Sequence, residues 1–192
     1  MNKREVCAKH ASFFYFAFVV VKNNDNIWIV IKKVGVNKMK WVPQDIETYI
    51  TAKEYVDTAI IPLYAVSVGE DMKQSAASAE FITLLTSHLE RQFTGRILLF
   101  PPFTYLKNEV REKSVTTLQE WEKTISQGSF KHLFYITSDI DWRNREEELN
   151  GSLIWLPTLP LEQMNNSQKM EMIDSQVKQL FVLFTQKWHE NE

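Results

Sequence analysis

Four side chains near the ends of predicted strands have the chemistry of a polar site. Asp139 and Asp141 are carboxylates that could act as a general acid, a general base or a metal ligand. Tyr105 and Trp142 are aromatic residues that could line a pocket beside them. Because ligands of open parallel sheets bind beyond the carboxyl ends of the strands, the four residues form one candidate site. An alternative stays open, in which the aspartates cap a short helix and the rings cover the sheet edge.

The patterns of better-known sites are missing from the sequence. There is no G-x-G-x-x-G motif, no Walker lysine motif and no G-x-S-x-G elbow. In the chain from Met39 onward only Gly69 follows a predicted strand, and Glu70 and Asp71 beside it would repel a phosphate. No two histidines lie within one helical turn, and there is no cysteine cluster. We predict no cofactor and no metal site, and the sequence leaves open whether the protein is an enzyme.

Helical and strand patterns alternate from Met39 onward. The predicted strands cover residues 59–68, 96–106, 130–137 and 152–159. The predicted helices cover residues 43–58 and 72–93, a segment capped by Asn108 and ended by Gly128, a short polar stretch for which Asp141 is the expected cap, and residues 167–189. Strands that alternate with helices pair in parallel through right-handed crossovers. The sequence therefore predicts a single α/β domain with a mainly parallel four-stranded sheet flanked by helices.

Three finer expectations follow from the same patterns. Pro62 cannot donate a ladder hydrogen bond and is expected at the start of its strand or at a sheet edge. Asp57 is expected to be a surface charge on the first helix. The last helix has the clearest amphipathic stripe in the chain, and Phe181 is expected at its buried centre with Leu180 and Phe184. The alternative for this helix is that it offers the stripe to a partner.

Residues 1–38 differ in composition from the rest of the chain. They contain no leucine, whereas residues 39–192 contain sixteen. Their apolar run, residues 13–21, is too short to span a membrane, and residues 12–22 and 27–34 could form a hairpin. We interpret residues 1–38 as translated upstream DNA, because the codons for Lys33-Val34-Gly35 can match the sequence of a ribosome-binding site before Met39. We predict a doubtful leader over 1–38 and a single domain over 39–192.

Charge and cysteine content narrow the partners and the compartment. Residues 1–38 hold seven basic and two acidic residues, and residues 39–192 hold fifteen and twenty-two. An acidic domain is unsuited to gripping phosphate backbones, so we predict no nucleic-acid binding. The single cysteine, Cys7, allows no intrachain disulfide and favours the cytoplasm. A protein partner and no membrane span are predicted.

Several strings resemble an uncharacterised bacterial family. The run "MKWVPQDIETYITAKEYVDTAIIPL" at 39–63, with "LFPPFTYL", "HLFYITSD" and "WLPTLPLE", is similar to the YpiF-like family of Bacillus relatives (domain of unknown function 2487) over residues 39–188. The resemblance implies no activity. Its genes often lie beside those of menaquinol–cytochrome c reductase, which implies a role near assembly or regulation of that complex.

Two functions remain as hypotheses at this point. The first is a non-enzymatic accessory or interaction protein of the cytoplasm. The second is a small-molecule-binding or hydrolase-like enzyme that works at the carboxyl ends of the strands. A concave polar pocket at the strand ends would favour the second, and an exposed apolar patch elsewhere would favour the first.

Overall fold

The chain divides into two units, Met1–Asn37 and Lys38–Glu192. The computed structural model describes residues 16–23, 26–33, 38–107 and 111–190. In the first unit, strand β1 (Phe16–Asn23) pairs antiparallel with strand β2 (Asn26–Lys33). The hairpin allowed by the sequence is thus present over these residues, and residues 12–15 and 34 of its expected strands lie outside the described residues.

The second unit is a parallel sheet flanked by helices. Its strands are β3 (Thr58–Val66), β4 (Ile97–Leu99), β5 (Phe103–Leu106), β6 (His132–Thr137) and β7 (Ser152–Trp155). Its α-helices are α1 (Pro43–Thr51), α2 (Met72–Gln92), α3 (Arg111–Ile125) and α4 (Asn166–Glu190), with 3₁₀ helices at Ile140–Glu148 and Leu161–Gln163. The strand order is β4-β3-β6-β7, with β5 also beside β3, and these pairs are parallel. The predicted fold class is confirmed.

The sheet has five strands where four were predicted, because the second predicted strand is interrupted at Pro101-Pro102. β4 pairs with the first part of β3 and β5 with its second part. Pro62 lies in the middle of β3, so its expected place at a start or an edge was wrong. The carbonyls of Ile60 and Val66 both accept bonds from the β4–β5 side, from Phe100 and Lys107. Because the backbone hydrogen-bonding groups of successive residues point to opposite sides of a strand, those of Pro62 face the same side as those of Ile60 and Val66. The break between β4 and β5 lies on that side, so no N–H is needed from Pro62.

The two faces of the sheet are covered by different helices. Helices α2 and α4 pack on one face with Ile60, Phe134 and Ile154. Helix α3 and the 3₁₀ helix Ile140–Glu148 pack on the other face with Ile61 and Tyr135. Buried strands with apolar residues on both faces are typical of parallel sheets between two helical layers.

Helix α4 docks on the sheet, but its buried centre differs from the prediction. Leu180 and Phe184 are buried, whereas Phe181 is 44% exposed and only stacks on Phe93, at 5.3 Å between ring centroids. The expectation that Phe181 lies in the core was wrong. The buried stripe of α4 runs through Leu180 and Phe184, and Phe181 lies beside it. No helix among residues 16–23, 26–33, 38–107 and 111–190 is long and apolar enough to cross a membrane.

Asp57 does not lie on the first helix as expected, because α1 ends at Thr51. It precedes β3, and both of its carboxylate oxygens accept bonds from Arg96, at 3.0 Å from Nε and 2.9 Å from Nη2. The Arg96 guanidinium in turn lies 3.9 Å from the Trp188 ring centroid. Asp57 is therefore part of a packed ion pair at the amino-terminal end of the sheet, not a free surface charge.

Candidate functional site

The structure brings three of the four predicted site residues into direct contact. The Tyr105 hydroxyl, at the end of β5, donates to Asp139 Oδ2 at 2.6 Å. Trp142 Nε1 donates to the same hydroxyl oxygen at 2.7 Å. The fourth residue, Asp141, joins the cluster through its backbone N–H, which donates to Asp139 Oδ1 at 3.2 Å. These side chains meet because the parallel strands β5 and β6 end at the same edge of the sheet.

Asp139 has a structural role in this cluster. Its extended backbone turns the carboxylate over the N–H of Asp141, so that Asp139 caps the 3₁₀ helix Ile140–Glu148. The expectation that Asp141 would be the cap was wrong by two residues, since the helix begins at Ile140. The hydroxyl of buried Thr137 accepts the Asp139 N–H at 3.1 Å and holds the turn from below.

The surroundings of Tyr105 fix its chemical role. Burial raises the pKa of Tyr105, and its hydrogen bond to Asp139 and the charge of that carboxylate raise the pKa further. The phenol therefore stays protonated in ordinary buffers and acts as a donor to Asp139. Each Asp139 oxygen thus accepts one hydrogen bond from within the cluster, an arrangement that fixes the orientation of the carboxylate.

We expect Tyr105 and Asp139 to be coupled energetically. Asp139→Ala removes both a helix cap and the acceptor for the Tyr105 hydroxyl, and should lower the free energy of unfolding by about 2 kcal/mol. Tyr105→Phe leaves Asp139 and Trp142 without their shared partner. A double-mutant cycle by urea unfolding should give a coupling energy of about 1 kcal/mol. Strictly additive losses would mean that the hydroxyl and the carboxylate are not bonded in solution.

Two concave sites flank this cluster. A small crevice of about 20 Å³ is lined by Tyr105, Trp142, Asp141 and Arg145 among others. A larger cavity of about 150 Å³ lies between β3, the start of α2 and the β6 end. Asp139 and Lys107 line both, so they form the wall between the two spaces.

Polar groups of the larger cavity mostly bond to one another. Ser75 Oγ donates to the Ala65 carbonyl at 2.7 Å and accepts the Ser67 N–H at 3.0 Å. The hydroxyls of Ser78 and Thr158 lie 2.7 Å apart. Ser138 Oγ differs, since it is a buried oxygen for which the described part of the chain offers no hydrogen-bond partner.

Sequence reasoning missed the contribution of α2 to this cavity. Neither Ser75 nor Ser78 was among the predicted site residues. Two serines three residues apart, near the start of a helix that follows a strand, are the pattern that could have revealed a polar wall. Within the described ranges no group of three or more His, Cys, Asp or Glu side chains could hold a metal ion.

The fold and this site together define a class of protein. The second unit is a parallel α/β domain whose strand ends carry a hydrogen-bonded Tyr–Asp–Trp cluster between two small cavities. The chain belongs to the family described as "Protein of unknown function (DUF2487)", whose profile matches residues 47–188.

One relative supports this membership over most of the chain. It is the "Uncharacterized protein YpiF" of Bacillus subtilis (strain 168), 36% identical over 151 residues, which are 78% of this chain and 98% of the relative. No solved structure matches the chain. The predicted resemblance to this uncharacterised bacterial family is confirmed.

Proposed function

We propose that this chain is a non-enzymatic accessory or interaction protein of the cytoplasm that binds a protein partner through the surface around α1. We name this the α1 surface and define it by Trp41, Val42, Ile50 and Tyr55. The support is their exposure: these four large apolar side chains are 52%, 47%, 57% and 61% exposed. Exposed apolar side chains gathered on one short segment are typical of protein-interaction sites.

The way α1 packs explains why these side chains face solvent. The helix has no fully buried residue. It is held by the half-buried Ile46 and by Tyr49, whose ring stacks on Phe130 at 5.4 Å between centroids. Ile46 and Ile50 lie four residues apart on one face of the helix, and this apolar face is only partly covered. The exposed remainder of that face is suited to a complementary apolar surface.

The strand-end cluster fits the same proposal as a scaffold. Tyr105, Asp139 and Trp142 bond to each other, so the cluster can hold the strand ends together without a ligand. A role near assembly or regulation of menaquinol–cytochrome c reductase, which the family resemblance implies, makes that complex the first partner to test.

A single charge-bearing substitution tests the α1 surface. Ile50→Lys should leave the free energy of unfolding unchanged within about 0.5 kcal/mol, because the side chain is already exposed and lysine favours helices. It should abolish recovery of the partner when the tagged chain is purified from cells and its companions are identified by mass spectrometry.

Val182→Lys is the matched control, since Val182 is 56% exposed on α4. It introduces the same charge on another helix and should leave partner recovery at the wild-type level. Recovery of the partner by Ile50→Lys at the wild-type level would refute the α1 surface as the binding site. Equal loss of the partner with both variants would mean that the added charge alone causes the loss.

A second function is favoured by one observation at the strand ends. The cavity of about 150 Å³ is lined by Ser138 among others, and the Ser138 hydroxyl is buried and lacks a partner among the described residues. Such a cavity is smaller than the roughly 300–1,000 Å³ of typical ligand pockets, so it would suit a small polar molecule. A metabolite that raises the melting temperature of wild type but not of Ser138→Leu, which fills the cavity, would support this enzyme-like or binding function.

A further inference from the structure

The larger cavity lies where the strand order of the sheet reverses. β3 leads through α2 to β4 in one direction, whereas β6 leads through the 3₁₀ helix Ile140–Glu148 to β7 in the opposite direction. In open α/β sheets, ligands bind at such a switch point, in the crevice beyond the carboxyl ends of the two strands. The cavity of about 150 Å³ is lined by the end of β3, the first turns of α2 and the residues that follow β6. It therefore occupies the place where this class of fold binds ligands.

The polar side chains that line this cavity mostly can both donate and accept hydrogen bonds. They are hydroxyls and one amide, from Gln74, Ser75, Ser78, Ser138 and Thr158. Much of the remaining lining is apolar and comes from Leu63, Ala65, Ala79, Ile82 and Ile140. A ligand that carries hydroxyls on a carbon frame matches both parts of the lining, because each O–H group of the ligand can also donate and accept.

The hydroxyls keep hydrogen-bonding capacity beyond their contacts within the protein. The Ser78 and Thr158 oxygens, 2.7 Å apart, need one hydrogen between them, so the pair retains a second O–H group as a donor. Ser75 Oγ donates its hydrogen to the Ala65 carbonyl and accepts the Ser67 N–H, which leaves it one further lone pair. The cavity wall therefore has both a donor and an acceptor for a bound molecule.

The charged side chains of the lining favour a neutral ligand. Lys107 Nζ lies 3.7 Å from Asp71 Oδ2, so the ammonium among the described lining residues has a carboxylate beside it. Asp139 adds a second carboxylate, which would repel an anion. Each oxygen of Asp139 already accepts a hydrogen bond, from Tyr105 or from the Asp141 N–H, so the carboxylate does not depend on a bound cation.

We propose that this cavity binds a small neutral polyhydroxyl molecule, a monosaccharide or a polyol. The inference rests on the second function given above and deepens it, since it names the class of ligand for the same cavity. The hydroxyls of the ligand bond to the Ser75, Ser78 and Thr158 side chains, and its C–H groups pack on the apolar lining. The α1 surface takes no part in this binding, so partner recovery and ligand binding are read separately.

Saturation-transfer difference NMR with the full chain tests the class of ligand. The neutral probes are ribose, glucose and myo-inositol, and the charged probes are acetate, methylphosphonate and ethylammonium. We expect saturation transfer to at least one neutral probe. Its dissociation constant should be at least about tenfold lower than that of any charged probe.

Two substitutions on α2 locate the binding. Ala79→Leu places a larger side chain in the cavity and should remove the saturation transfer to the neutral probe. Ala76→Leu is the matched control, because Ala76 is exposed on the same helix and is not part of the cavity lining. Saturation transfer with this variant should equal that of wild type. Thermal melting followed by circular dichroism shows whether each variant is folded.

Thr158→Val supplies a second test that does not depend on filling the cavity. It keeps the shape of the side chain and removes one hydroxyl, so it should weaken binding of the neutral probe about tenfold. Neutral-probe binding that is unchanged in Thr158→Val and in any folded Ala79→Leu would lie outside the cavity and overturn the proposal.

The remaining outcomes separate the ligand class from the site. A charged probe that binds more tightly than the neutral ones, and is lost in Ala79→Leu, would overturn the polyhydroxyl class but keep a ligand site at the cavity. Saturation transfer to none of the probes would also overturn the polyhydroxyl class. The second function would then depend on the melting test with Ser138→Leu alone.

Discussion

Phe184→Ala should lower the free energy of unfolding by about 3–5 kcal/mol, the cost of emptying a large aromatic site in a packed core. Phe184 has 0% of its surface exposed. Its ring lies 4.2 Å from the Phe134 ring in β6 and 5.7 Å from those of Phe93 and Trp188, measured between centroids. The substitution thus removes one of the contacts that join α4 to the sheet and to the end of α2. Such a loss is a large share of the roughly 5–15 kcal/mol that stabilises a domain.

Phe181→Ala provides the matched control on the same helix. Phe181 is 44% exposed and stacks on Phe93, so its truncation should cost about 1 kcal/mol or less. Urea unfolding of both variants, followed by circular dichroism, measures the difference. Equal losses of unfolding free energy in the two variants would mean that α4 is rotated so that Phe181 is as buried as Phe184.

Glu122→Ala should be the second severe change, at about 3 kcal/mol, because it removes a buried carboxylate that accepts three hydrogen bonds. The Glu122 side chain is 3% exposed, and Oε1 accepts the N–H groups of Asn150 and Gly151, each at 2.9 Å. Oε2 accepts Asn150 Nδ2 at 3.0 Å. One carboxylate on α3 therefore fixes the turn that leads into β7.

The close packing of that turn makes the loss hard to absorb. A Cβ at Gly151 would lie 2.7 Å from the Tyr135 ring and 2.9 Å from the Leu133 carbonyl, so the backbone cannot shift toward the sheet. Glu120→Ala is the control, since Glu120 is exposed on the same helix. The free energies of unfolding of the two variants, measured in urea, test whether the Glu122 carboxylate holds the turn. A loss with Glu122→Ala as small as that with Glu120→Ala would contradict this role.

The order of elements and the location of the strand ends could be predicted because they depend on local patterns. Apolar runs alternate with helical periodicity from Met39 onward, and parallel pairing follows from that alternation. The meeting of Tyr105, Asp139 and Trp142 followed from the same argument, since parallel strands end together. Whether those residues serve a ligand stays a prediction.

The errors arose where tertiary contacts decide the outcome. The first predicted helix was drawn to residue 58, but α1 ends at Thr51 and Val56 is buried with Met39 and Leu98. The fourth predicted strand was drawn to residue 159, but β7 ends at Trp155, and Pro157 and Pro160 offer no N–H to prolong it. The cap expected at Asn108 lies outside the described residues. Periodicity marks an apolar stripe but not its width, so Phe181 was assigned to the core.

The buried acids were invisible to sequence reasoning for a related reason. Glu90 and Glu122 lie on helices among other charged residues, where a solvent-facing position is the ordinary expectation. Only their partners, Met39 N and the turn at Asn150-Gly151, distinguish them from surface charges, and these partners are 51 and 28 or 29 residues away in the chain. A single sequence contains no local trace of such pairs.

Site-specific photo-crosslinking in living cells tests whether the α1 surface binds a protein partner. A photoreactive phenylalanine analogue is placed at Ile50, at Val182 or at Ile140, which are 57%, 56% and 54% exposed and lie on α1, on α4 and at the strand ends. We expect a discrete crosslinked partner from position 50 and none from positions 182 and 140. A partner crosslinked from position 140 and not from position 50 would contradict binding at the α1 surface and move the binding site to the strand ends.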